Sequence, residues 1–144
     1  MSDFAEKEIA TLFPGRWNRN YVASKLRTDP LYAALADHLR GSKLPLLDLG
    51  CGLGLLAFFL RARGIDVPIH GLDYDAGKID SARLAAEKSN MRGLTFSHHD
   101  ARTGLPEHHG NVSILDILQF FDPTGQENLI KLAASRVAPG CGMS

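Results

Sequence analysis

Cysteine is scarce in this sequence: two in 144 residues, Cys51 inside a glycine-rich turn and Cys141 near the end. Two thiols so placed build no disulfide framework, which excludes a stapled secreted scaffold and makes the cytosol the expected compartment. An excess of either charge is also missing. Lys plus Arg and Asp plus Glu both total 16, for a net charge of zero. A nucleic-acid footprint shows as a basic excess or stripe, so the balance argues against nucleic acid as a partner. No apolar run approaches the roughly 18 to 20 residues of a membrane span, and none is expected. The opening, Met1-Ser2-Asp3-Phe4-Ala5-Glu6-Lys7-Glu8, is acidic and polar, unlike a signal peptide. Internal repeats and low-complexity tracts are absent too. What is present, 44% apolar and 22% charged residues, suits one globular domain.

The informative stretch is Leu46-Leu47-Asp48-Leu49-Gly50-Cys51-Gly52-Leu53-Gly54-Leu55-Leu56. An apolar run carrying an acid, three alternating glycines and an apolar restart predict a strand, a tight turn and a helix. That is the opening half of a βαβ nucleotide-binding unit. Glycines 50, 52 and 54 can take positive φ and, lacking Cβ, let a ligand lie directly on the backbone. The helix, about Leu53 to Arg63, starts at the turn, so its unpaired N–H groups and positive dipole end face the ligand. A carboxylate at the rim of such a turn, Asp48, repels a pyrophosphate and attracts an ammonium. The pattern suits a cationic nucleoside better than a dinucleotide.

Before this stretch the chain reads as helical: Ser2 to about Phe13 up to the Pro14-Gly15 break, then Val22 to Arg27, then a helix entered at Thr28-Asp29-Pro30. Leu31, Leu35 and Leu39 stand four apart on its expected buried face, and Gly41 ends it. After the turn, Val67 to Asp73 is the second strand, with Asp73 at its end, 19 residues beyond Gly54. An acid there can accept from both ribose hydroxyls; the competing role, capping the next helix, is one Asp75 could fill. Asp75 to Asn90 is an amphipathic helix with Ile79, Ala82, Ala85 and Ala86 inward, closed off by Gly93. Leu94 to Ala101 is the third strand, Asn111 to Gln119 the fourth strand and its exit, and Pro123 to Val137 a last helix. Asp48, Asp73 and Asp100 thus recur at three successive strand ends, the edge that parallel strands present to a ligand.

Asp48-x-Gly50-x-Gly52-x-Gly54 resembles motif I of the class I methyltransferases that use S-adenosylmethionine. The resemblance implies an α/β fold, a Rossmann-like three-layer α/β/α sandwich with a parallel sheet in the order 3-2-1-4. It divides the chain into an N-terminal helical segment, 1–42, and a Rossmann-like cofactor-binding domain, 43–144. That domain is incomplete, because the resembled fold continues with three more strands; a fragment or a truncated gene product is expected, with the fourth strand left as an unpartnered edge. The implied cofactor is S-adenosyl-L-methionine. Gly50, Cys51, Gly52 and Gly54 would pack on its methionine part, with Asp48 holding the loop or the amino group. Tyr74 would stack on adenine, Asp100 accept from the adenine amine, and the Ala101 N–H reach the ring. Asp116 and Gln119, at the exit of the fourth strand, complete the expected cofactor contacts. Tyr21 and Lys25, one helical turn apart, would form a lid or line the substrate pocket; a surface lysine beside a half-buried tyrosine has the same pattern.

The implied reaction is methyl transfer to a small-molecule acceptor. Gln119 stands where some relatives carry a histidine, and an amide cannot serve as a base; no catalytic residue is assigned. The segment Leu118-Gln119-Phe120-Phe121-Asp122-Pro123 lacks the Asn/Asp-Pro-Pro-aromatic motif of enzymes that methylate exocyclic amines of DNA. Phe120 and Phe121 hint at an aromatic or lipid-like acceptor, or at two core side chains. Two alternatives stand beside this reading: a cofactor-binding fragment or scaffold without catalysis, and an NAD(P)-dependent oxidoreductase, since Gly52-x-Gly54-x-x-Ala57 also fits the dinucleotide fingerprint. No metal is expected from His98, His99, His108 and His109, because adjacent strand residues point to opposite faces and no accompanying ligand spacing exists.

Overall fold

Four parallel strands form the centre of the computed structural model, which describes residues 8–13, 15–28, 30–115 and 117–138. Strands β1 (Leu46–Leu49), β2 (Ile69–Asp73), β3 (Leu94–His98) and β4 (Asn111–Ile114) stand in the order β3-β2-β1-β4. The expected order is therefore the observed one, with helices on both faces. Leu46 lies opposite Ile69 and Asn111, and Asp73 lies opposite His98.

The alternation of side chains along each strand splits the core in two. Leu46, Ile69 and Phe96 face one cluster with helices α1 (Arg16–Thr28), α2 (Pro30–Leu39), α3 (Leu55–Ala62) and α4 (Ala76–Ser89). Helix α3 is apolar all round from Leu55 to Leu60 because that part is covered all round. Leu55 to Leu60 are all buried, and Phe58 lies between Phe13 and Phe96 at ring separations of 5.9 and 6.0 Å. The N-terminal helices share this core rather than forming one of their own: Val22, Leu26, Leu35 and Leu39 belong to the same cluster as Leu46. On the opposite face Leu47, Leu49, Leu72 and Val112 pack against Leu129 and Ala133 of α5 (Pro123–Ala134).

Several boundaries differ from the sequence reading. In α2 the buried face is Tyr32, Leu35, Ala36 and Leu39, while Leu31 is 53% exposed. An i, i+3, i+4, i+7 stripe describes that face better than a strict spacing of four. Helix α4 closes where expected: its last residue is Ser89, and its cap, Asn90, takes the left-handed conformation at φ 56° ahead of Gly93. Strand β3 stops at His98 because the Asp100 carboxyl accepts from the Arg102 N–H and opens a 3₁₀ turn, Ala101–Thr103. Strand β4 stops at Ile114, and Leu118–Phe120 is a second 3₁₀ turn rather than strand exit. Strand β4 is the sheet edge, and just before it Gly110 bridges Val137 in parallel and its carbonyl accepts from the Ala138 N–H.

On the α5 side, His70 Nε2 lies 2.9 Å from the Ser97 hydroxyl and His108 Nε2 2.8 Å from the Asn111 carbonyl. Burial lowers the proton affinity of both, and for His70 the neighbouring His108 and His99 add to it. Unfolding returns them to the ordinary value of about 6.5. Below that pH the unfolded chain binds more protons than the folded one, so stability is kept above it and falls as pH drops through the folded values. Thermal melts should show Tm falling between about pH 7 and pH 5.5, less steeply in His70→Gln. A flat wild-type Tm over that window contradicts the expectation.

Candidate cofactor-binding site

Gly50, Gly52 and Gly54 all adopt the left-handed region, at φ 75°, 56° and 80°. The turn they form is pinned at several points. Gly50 and Cys51 N–H groups both donate to the Leu72 carbonyl at the end of β2, and the Gly54 N–H donates to the Cys51 carbonyl. The three positions differ in what surrounds them. A Cβ on Gly50 would stand 2.7 Å from Ile117 Cβ, and one on Gly54 2.7 Å from the Phe96 ring. A Cβ on Gly52 would meet nothing within 4 Å. Gly50 and Gly54 are therefore needed for packing, whereas Gly52 leaves open space above the backbone.

The three acids expected at one rim sit at three different depths. Asp73 is at the edge, the last residue of β2, with its carboxylate spanning the turn: Oδ2 accepts from the Gly52 N–H and Oδ1 from the Asp75 N–H, both at 2.8 Å. Helix capping falls to Asp75, whose carboxyl accepts from the Lys78 N–H. Asp100 lies two residues beyond β3. Asp48 is not at the rim. It is 3% exposed, sits inside the ladder opposite Gly71 and Ser113, and accepts a 2.8 Å hydrogen bond from the Ser113 hydroxyl. Strand β1 runs one residue past it, through Leu49, which puts its side chain below the turn instead of on it.

A buried carboxyl loses a donor if Ser113 is replaced. Ser113→Ala should lower stability by about 1–3 kcal/mol, read as a shift in the denaturant midpoint at unchanged m-value. A change within about 0.5 kcal/mol would show the pair to be dispensable.

Tyr74 is 64% exposed, with the His98 ring centroid 5.8 Å away and the Arg102 guanidinium 5.3 Å over its face. The same guanidinium holds both oxygens of Asp100, Nε to Oδ1 at 3.0 Å and Nη2 to Oδ2 at 3.1 Å. Those bonds keep the Asp100 carboxyl below the usual carboxylate range. Ala101 is buried beside them. Neither Arg102 nor Ser113 stands out in the sequence alone. An Asp-x-Arg pair at the start of a turn was the visible signal for the first; the second needed the strand register.

The Cys51 thiol is pushed far up by burial, with Asp48 and Asp73 adding to the effect. It stays protonated at neutral pH and is no nucleophile. Gln119 is exposed on the 3₁₀ turn beside Phe120, which is 78% exposed. Asp116 lies outside the described residues. Tyr21 is exposed on α1, and the Lys25 ammonium sits 5.9 Å over the ring of Tyr32, a buried residue of α2. Among the described residues, no three His, Cys, Asp or Glu side chains gather into a group that could hold a metal ion. No helix among them is long and apolar enough to cross a membrane.

A glycine turn after β1, a carboxylate at the end of β2 and an aromatic beside it define a Rossmann-like nucleoside-binding protein. The sequence model of the methyltransferase-domain family matches residues 46–140, and the chain belongs to that family, the class I methyltransferases its glycine turn resembles. It is 34% identical over 95 residues to a ribosomal protein L11 methyltransferase of Burkholderia vietnamiensis, covering 66% of this chain and 29% of the relative. With a ubiquinone biosynthesis O-methyltransferase of Pectobacterium atrosepticum it shares 33% over 111 residues, 73% of this chain and 42% of the relative. The chain thus spans less than half the length of these curated relatives. Among solved structures, a methyltransferase from Geobacter sulfurreducens in complex with S-adenosyl-L-homocysteine superposes with a TM-score of 0.64 at 26% identity, over 81% of this chain and 47% of that one. A Pyrococcus horikoshii protein gives 0.71 at 24% identity, over 84% and 56%.

Proposed function

We propose that this chain binds S-adenosylmethionine across the glycine turn and serves methyl transfer to a small-molecule acceptor. The observation that carries the reading is Gly52, a left-handed glycine whose missing side chain leaves open space directly above it, beside the Asp73 carboxylate. The donor set fits the cofactor. Asp73 would accept from the ribose hydroxyls, Tyr74 would offer its ring to adenine, and Asp100 would accept from the adenine amine. Gly50, Cys51, Gly52 and Gly54 would carry the methionine part on their backbone, with Asp48 bracing the turn from beneath rather than touching the amino group.

When bound, S-adenosylmethionine supplies a methyl group on a sulfonium, an electrophile that leaves readily. The chain's own share is to bind and orient, and orientation alone supplies much of the rate of such a step. No side chain of the described residues is assigned as a base, and the exposed Gln119 amide cannot act as one. The neutral overall charge and the exposed Phe120 favour a small, partly apolar acceptor over a nucleic acid. The ubiquinone-pathway relative points the same way, the ribosomal-protein relative to a protein acceptor instead. A cytosolic location belongs to the same proposal, given a free Cys51 thiol.

Calorimetric titration of the chain with S-adenosylhomocysteine, with NAD as the control, tests the reading. Saturable binding of the first and none of the second is the expected result. Binding of NAD alone hands the site to a dinucleotide enzyme. Binding of the first without methylation of any small acceptor supports the scaffold alternative.

A further inference from the structure

One side chain holds both groups assigned to the adenine. The Arg102 guanidinium lies over the Tyr74 ring at 5.3 Å and bonds both oxygens of Asp100. The other close neighbour of the ring, His98, makes a tilted contact at 5.8 Å and has no bond to Asp100. We propose that Arg102 is a latch on the adenine subsite, a positioning residue that competes with the purine for the Tyr74 face and the Asp100 carboxylate. The proposal rests on the assignment of Tyr74 and Asp100 to adenine given above.

The physical reasoning is a competition for shared partners. A ring face stacks on one planar group at a time, and a guanidinium and a purine are both planar. Asp100 Oδ1 already accepts twice from Arg102, from its backbone N–H and its Nε, while Oδ2 accepts once from Nη2, which stands on the approach to that oxygen. A purine stacked on the face of Tyr74 that the guanidinium covers has to displace the arginine from it, and the apparent affinity is reduced by the fraction of molecules in which the latch is closed. The latch is weak enough to open. Its ion pair is solvent-exposed, with 62% of the Arg102 side chain accessible, and exposed pairs hold little. It is also salt-sensitive, since exposed charges are screened while stacking on tyrosine is not. The sign of both effects is opposite to that of an arginine that grips the ligand.

The test uses 5′-methylthioadenosine, an uncharged nucleoside that needs the adenine and ribose contacts and not the methionine ones. Wild type, Arg102→Ala and Arg102→Lys are titrated calorimetrically at low salt and at about 0.5 M salt. Removing the latch should tighten binding roughly threefold in Arg102→Ala. Wild-type affinity should rise with salt toward that of the alanine variant, which itself should be insensitive. Lysine, which keeps the charge without the planar fork, should fall between the two. Weaker binding by Arg102→Ala overturns the latch and makes the arginine a ligand contact; equal binding with equal salt dependence overturns it as well. If wild type binds neither this nucleoside nor S-adenosylhomocysteine, the adenine assignment itself fails and takes the latch with it. That result is separate from the others, because it appears in the wild type alone.

Discussion

Alanine at Gly54 should cost this protein much of its stability, while alanine at Gly52 should cost it the cofactor. Both positions are left-handed, so each variant carries the steric penalty of an L side chain at positive φ, about 1–2 kcal/mol. At Gly54 the new Cβ also lands 2.7 Å from two atoms of the Phe96 ring, itself packed on Phe58 in the larger core cluster. Overpacking of that kind adds about 1–3 kcal/mol. The sum, about 2–5 kcal/mol, is a large part of the stability of any single domain and should lower Tm by on the order of 10 °C. At Gly52 the Cβ meets nothing, so only the backbone penalty applies to folding. The methyl group would instead stand in the space assigned to the cofactor, and affinity for S-adenosylhomocysteine should fall at least about tenfold, the effect of roughly 1.4 kcal/mol. Thermal melts and titrations on the two variants separate these outcomes. Wild-type affinity in Gly52→Ala would remove the cofactor from this turn.

The contrast between the two glycines also shows what was legible in the sequence. That residues 50, 52 and 54 adopt positive φ followed from local chemistry, because alternating glycines between a strand and a helix have few other uses. Which of them faces core and which faces open space did not, since Ile117 and Phe96 come from elements far along the chain. The same division runs through the acids. Asp73 at a strand end was a local reading, and the strand ends there. Asp48 looks like a rim carboxylate only if the strand stops with it. Its burial depends on pairing through Leu49, a register set by β2 and β4. Leu115, Ile117 and Leu118 extend the fourth strand by pattern, yet their chemistry suits a bend equally well once Ile117 has Gly50 to pack against. Arg102 is the plainest case. Its contact with Asp100 spans two positions, but its contact with Tyr74 exists only because β2 and β3 lie side by side.

Asp73 ties the turn and, in the proposal above, would also accept from the ribose; substitution can separate the two. Its carboxylate already accepts from the Gly52 and Asp75 N–H groups, so Asp73→Ala should not leave the fold untouched. Loss of acceptors for two partly exposed backbone donors should cost about 1–2 kcal/mol of stability. The loss in affinity should be larger. Hydrogen bonds from ribose hydroxyls to a charged acceptor are worth about 1.5–3 kcal/mol each, so binding of S-adenosylhomocysteine should weaken roughly 10- to 100-fold or more. Asp73→Asn decides between the duties. The amide oxygen can still accept from one of the two N–H groups, with its NH2 facing the other, and should recover part of the lost Tm. It offers the ribose a neutral acceptor and one fewer oxygen, so affinity should stay well below wild type. A carboxylate that merely braced the turn would behave differently: asparagine would then restore affinity in step with stability. Measuring Tm and Kd on the same three proteins therefore tells a ribose acceptor from a structural tie, whichever way the asparagine variant falls.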